Sequence, residues 1–142
     1  MTRWLDFLSG FLVVYLALVA IPAKWIWYEP HVLTVGDGPG AIRFDRIIKR
    51  DFVGRYSGSI RDVTTSAIVC DFNGGPFTYR KDSALPERID LEWWTGKEQC
   101  SDLDAGSYVL ETCWAVVDPL WGMLPDKSVC LTSNVFKVWR AK

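Results

Sequence analysis

Residues 7–23 read FLSGFLVVYLALVAIPA, and none of them is charged. At the rise of an α-helix, such a run covers most of a hydrocarbon core of about 30 Å, and its flanks complete the crossing. Trp4 lies just before it, and Trp25, Trp27 and Tyr28 just after it. These are the aromatic belts expected at two headgroup layers. Lys24 is placed to snorkel outward from the far end, Asp6 suits the positive end of the helix dipole, and Pro22 falls in the last turn, where headgroups and water tolerate a broken ladder. Residues 1–28 therefore read as a transmembrane anchor. A cleaved signal peptide is the first rival reading, but it wants small residues at the cleavage site. Leu18 stands two positions before Ala20 and Ile21 two before Ala23, so neither site fits. A buried core helix is the second, and it would need a polar face; only Ser9, Gly10 and Tyr15 interrupt the apolar interior. Ala17, Ala20 and Ala23 form a weak small-residue stripe, which an ordinary lipid-facing helix also explains.

Outward from the anchor, composition narrows the function classes. The chain has 142 residues, enough for one domain beyond the helix, and a formal net charge of −1, which leaves no electrostatic footprint for nucleic acid. All four cysteines, Cys70, Cys100, Cys113 and Cys130, lie beyond the apolar run. Their even number in a small loop-rich domain points to disulfides, whereas no C-x-x-C pair or nearby histidine suggests zinc. Three pairings exist. Placement on consecutive strands favours Cys113 with Cys130, which leaves Cys70 with Cys100. Arg3 and Lys24 balance each other under the positive-inside rule, so the cysteines decide orientation. They put the C-terminal domain outside, in a periplasm or its equivalent.

Past Glu29 the texture changes. Pro30 ends the helical pattern, and Gly36, Gly38, Pro39 and Gly40 make residues 29–40 read as a juxtamembrane linker. No G-K-[ST] follows these glycines, so they do not read as a phosphate loop. Residues 41–142 read as short strands between turns: 41–48, 52–63, 66–72, 77–80, 88–94, 107–117 and 128–139. Asn73-Gly74-Gly75 is expected to turn the chain. The alternation over 88–94 sends Ile89, Leu91 and Trp93 inward and Trp94 outward. Six or seven strands in about a hundred residues suggest two packed sheets.

Asp104-Ala105-Gly106-Ser107-Tyr108 has the Asp-x-Gly-x-Tyr spacing of a tyrosine corner. On these residues the region from Ile89 to Val138 resembles immunoglobulin-like and fibronectin type III-like domains. The resemblance implies a mainly β fold, an antiparallel immunoglobulin-like β-sandwich following the transmembrane helix, with Trp93 in the place of the buried sheet tryptophan. Antibody domains carry a cysteine two residues after the tyrosine; Leu110 stands there, so their inter-sheet disulfide does not carry over. Asp102 and Asp104 also faintly resemble the start of a calcium loop, but the closing glutamate and flanking helices are missing. No cofactor or metal is expected.

Catalytic constellations are hard to assemble. His31 is the only histidine and lies close to the anchor. No serine sits in a nucleophile elbow, and the pairs Glu87 with Asp90 and Glu92 with Glu98 fall on solvated strands or loops. The expectation is a binding protein rather than an enzyme. Trp94 is one candidate protein contact. The apolar loop carrying Trp121, Met123 and Leu124 between Pro119 and Pro125 is the other, with the alternative that Trp121 and Leu124 fold back to cap the domain. The expected partners are a lipid bilayer and a protein, with the oligomeric state open. Single-helix proteins with one such domain resemble uncharacterised membrane proteins of bacteria and their phages, which implies an accessory, receptor-like or blocking factor of the envelope. A structural subunit of a larger membrane complex is the alternative, followed by a secreted ligand and then a small enzyme or inhibitor.

Overall fold

A computed structural model describes residues 2–38 and 41–139. Met1, Pro39, Gly40 and residues 140–142, which the anchor, linker and domain ranges include, lie outside the described residues. Helix α1, Thr2–Ala20, has no buried residue. Its 19 residues rise about 28 Å, which together with their apolarity makes it able to cross a membrane. The ladder stops ahead of Pro22, whose extended backbone (ψ 147°) starts a separate short helix α2, Ala23–Ile26.

The rest is mainly antiparallel β. Strands β1, Tyr28–Val35, and β2, Ile42–Ile48, form a hairpin. Strands β3, Phe52–Asp62, β4, Ile68–Tyr79, β5, Gly106–Val116, and β6, Lys127–Thr132, lie in the order β4-β3-β5-β6, and β7, Phe136–Val138, also pairs with β5. The hairpin covers one face of this sheet. Tyr28, fully buried, meets Trp114 at 5.1 Å and Phe52 at 5.7 Å between ring centroids, and Phe44 stacks on Trp114 at 5.3 Å. Strand β5 shows why the sheet is one-sided. Tyr108, Leu110, Thr112, Trp114 and Val116 alternate into the core while their neighbours are less buried.

Several expectations are corrected. Residues 29–40, read as a linker, hold most of β1. The register shift between Pro30 and Val32 breaks the alternation that would have announced the strand, and Pro30 is tolerated because β1 is an edge strand. Trp27 and Tyr28, read as part of the interfacial belt, are buried in the domain core, whereas Trp4, Lys24 and Trp25 are exposed. Asn73-Gly74-Gly75 does not turn the chain. It lies inside the continuous β4, where a register shift opposite Gly54 and Tyr56 absorbs it. A side chain at Gly74 would fall 2.5 Å from the Tyr56 ring, so glycine here admits a neighbour rather than a turn.

Residues 88–94 are not a strand. Leu91–Thr95 form a one-turn helix, α3. Asp90 caps it by accepting from the Trp93 amide at 2.7 Å, and Gly96 ends it in the left-handed region at φ 69°. The change of period reverses the two tryptophans. Trp94 is buried and Trp93 half-exposed, opposite to the strand reading.

The cysteines pair as Cys70–Cys100 and Cys113–Cys130. The second pair joins directly opposed residues of β5 and β6, with Cα atoms 4.0 Å apart. The first ties β4 to the 3-10 turn Glu98–Cys100. The Tyr108 hydroxyl donates to the Asp104 carbonyl at 2.7 Å, the bond that the Asp104-Gly106-Tyr108 spacing anticipates. Burial pushes this phenol's pKa up, and Asp62 and Asp104 add to the rise.

The helix and the domain are joined by more than chain. The buried side chain of Lys127, at the start of β6, donates to the carbonyls of Leu18 at 2.8 Å and Val19 at 3.0 Å, and to that of Ile21. Leu18 and Val19 lie in the last turn of α1 and Ile21 just past it; Pro22 has no amide to continue the ladder, the Ile21 amide reaches the Leu18 carbonyl only at 3.4 Å, and the cation meets the negative end of the dipole. Burial alone would draw the ammonium below its usual 10.5.

Candidate functional site

The interior is rich in aromatic rings, and one group of them is not fully covered. Between the hairpin, the sheet and α3 lies a cleft of about 290 Å³. Phe44 from β2 and Trp114 from β5 form a stacked floor, their planes 13° apart. Trp94 stands edge-on to both, at 4.9 Å from Phe44 and 6.1 Å from Trp114. Tyr56 and Phe77, stacked at 5.9 Å, make the opposite wall, and Trp93 forms the rim.

Each wall is held by a local device. The Trp94 indole N–H donates to the Thr112 hydroxyl at 2.9 Å, so the only polar atom of that ring is satisfied inside the core. The Thr95 hydroxyl bonds the Leu91 carbonyl at 2.6 Å, and the Ile42 amide donates to the Ile89 carbonyl at 2.8 Å, which hooks the approach to α3 onto β2. The Cys70–Cys100 pair and the Lys97 ammonium, which donates to the Asp71 carbonyl at 2.8 Å, fasten the far side of α3 to β4. The rim is thereby fixed while half of Trp93 stays open to solvent, 52%.

One cation serves this cleft. The Arg46 guanidinium lies over the Tyr79 ring at 5.9 Å and donates to the Ser83 hydroxyl at 3.3 Å. Burial lifts the Tyr28 phenol well above its usual range and raises that of Tyr79, with Arg46 pulling partly the other way in both. Both phenols therefore stay neutral, and the cleft presents apolar ring faces beside a single positive charge. Such a surface accepts a flat or branched apolar group whose neighbour carries a carboxylate or carbonyl.

The other candidates are dispersed. Trp94, read as an outward contact, is instead a cleft wall. In the loop after β5, Leu124 is buried and Trp121 and Met123 are exposed, Trp121 to 92%. Folding back therefore applies to Leu124 alone. His31 stands 4.0 Å from Glu29, whose other oxygen bonds Lys49 at 3.0 Å. Asp90 is occupied as a helix cap, and Glu92 and Glu98 flank Lys97 in a shallow polar depression. Among the described residues no group of three or more His, Cys, Asp or Glu is placed to hold a metal ion. Of the cleft residues the sequence singled out only Trp93 and Trp94, with their burial reversed. Phe44, Tyr56, Phe77 and Trp114 come from four strands; pairing register aligns Tyr56, Phe77 and Trp114 within one sheet, and the packing of the hairpin onto that sheet brings Phe44 to them.

No family model matches the chain, and comparison with curated proteins and with solved structures gives no significant match.

Proposed function

We propose that this chain is a membrane-anchored, extracytoplasmic protein-binding module, an accessory, receptor-like or blocking factor whose aromatic cleft receives an apolar anchor residue from a partner protein. The carrying observation is the cleft itself: stacked and edge-on rings left open at Trp93, with Arg46 beside them. Aromatic residues and arginine dominate the energetics of protein interfaces, and a preformed pocket avoids the cost of ordering one. The cysteine pairs support an oxidising compartment, hence a domain outside the cytoplasm. An immunoglobulin-like reading of the domain draws support from the tyrosine corner and from the order β4-β3-β5-β6, which parallels the C′-C-F-G sheet of variable-type domains. The second sheet departs from that plan, being one hairpin.

The test is photo-crosslinking in the native membrane. A benzophenone amino acid replaces Trp93, and separately Thr64 in the β3–β4 turn. A discrete protein adduct at 93, absent at 64 and lost when Arg46→Ala and Phe44→Ala are added, is the expected result. Equal labelling from both positions, in protein that remains in the membrane with its disulfides formed, would end the proposal.

A further inference from the structure

The loop between β5 and β6 carries, at the end where the helix joins, the most exposed large hydrophobic side chain among the described residues. Trp121 is 92% exposed and Met123 59%. Pro119 and Leu124 are buried beneath them, so the loop is seated on the domain while its apolar tips point away. The loop is closed at its base by the Asp126 carboxylate, which accepts from the Asp118 amide at 3.1 Å. Three of its non-glycine residues, Asp118, Leu120 and Trp121, hold φ values of 48°, 53° and 56°. Side chains visit that region at a cost, and here the backbone bears it while Trp121 stays out of the core.

Position selects the occupant. Lys127, on the strand that this loop enters, is the residue whose ammonium bonds the last carbonyls of α1. On its other side the loop shares a depression with Trp27, Arg50 and the half-exposed Val53. Trp27, which shares that depression, follows directly on α2, and the α2 residues Lys24 and Trp25 are both exposed. An exposed indole in one depression with Arg50, on a loop that also carries an exposed thioether, matches the boundary between acyl chains and phosphates, where tryptophan partitions and cations meet anionic oxygens.

We propose that the loop 118–124 is a second membrane contact, with Trp121 and Met123 inserted into the headgroup layer of the leaflet through which α1 leaves the bilayer. This rests on the reading that α1 spans that bilayer. The two contacts together would hold the domain in one orientation on the membrane surface.

The test uses the full chain in vesicles of phosphatidylethanolamine and phosphatidylglycerol. A ketone-bearing amino acid replaces Trp121, Leu12 or Thr64 in turn and is coupled to an environment-sensitive fluorophore, which leaves the cysteines untouched. Quenching is read with two sets of nitroxides, one attached near the top of the acyl chain for position 121 and one near its end for position 12. The expected result is a blue-shifted, quenched probe at 121, a quenched probe at 12 and an unquenched probe at 64, which sits at the opposite end of β3. Quenching at 12 with 121 behaving like 64 overturns the second contact and leaves the anchor standing. No quenching at 12 removes the anchor and the second contact together.

Discussion

Replacing Lys127 with Met tests how the helix and the domain are joined. Met preserves most of the buried stem but strips the donors from Leu18, Val19 and Ile21. Hydrogen bonds from a charged group contribute about 1.5–3 kcal/mol each when wholly buried. The three bonds do not add at that rate. Removing the ammonium also removes its own burial cost, the Leu18 carbonyl keeps the Ile21 amide at 3.4 Å, and freed carbonyls at a helix end regain some water. A net loss of about 2 kcal/mol is the working figure, which is about thirty-fold in the opening equilibrium of the joint. The assay is hydrogen exchange in lipid nanodiscs, reading the amides of Trp25 and Trp27, which bond the carbonyls of Pro22 and Ala23. They should exchange faster by that factor while β5 amides change little. Lys127→Arg, which keeps the charge and the donors, should recover part of the protection. Unchanged exchange at Trp25 and Trp27 in the Met variant would refute the idea that Lys127 fixes the joint.

Thr112→Val leaves the Trp94 indole N–H buried without an acceptor; an unpaired buried donor costs about 1–3 kcal/mol, and the denaturant midpoint should fall accordingly with an unchanged slope. Replacing Cys113 and Cys130 together by Ala releases a loop of sequence separation 17, for which chain entropy gives about 3 kcal/mol; urea unfolding of oxidised protein measures it. The Lys49 ammonium holds the Glu29 carboxyl below its usual 4.5. Because the folded pKa is depressed, the pair supports the hairpin above the unfolded value and is lost as pH falls through the folded one. An NMR titration should find the Glu29 midpoint under 4.5, and Lys49→Met should raise it.

The elements that were legible in the sequence are those whose signal lies within one continuous stretch. Helix α1 stands out because its apolar run has no charge, and β2, β3 and β5 because they are short β-prone runs bounded by turn residues. Strand β1 was hidden by a shift of register at His31, which moves the buried set from Tyr28 to Leu33 and Val35. The segment 88–94 satisfied an alternation that a one-turn helix also produces over so few residues. The deciding signals were Asp90 and Gly96, cap residues rather than core residues. The cleft was illegible for a different reason. Its rings are contributed by elements far apart in the chain, and a register decided by bulges cannot be read from any one of them.

Strand β1 opens at Tyr28, one residue after Trp27, and both side chains are already in the core. The chain thus passes from the end of the helix into the domain without slack. A domain on a flexible leash sweeps a volume and meets partners from any quarter; one mounted this way samples little more than rotation about a single axis. If α1 lies in a bilayer, Trp93 and the rings behind it are carried at one fixed level above the lipid. A partner embedded in the same membrane then arrives with its level already matched, so part of the orientational freedom normally lost on association has been given up beforehand. A partner diffusing in from solution has no such advantage. The mounting itself would favour neighbours in the plane of the membrane over visitors from above it.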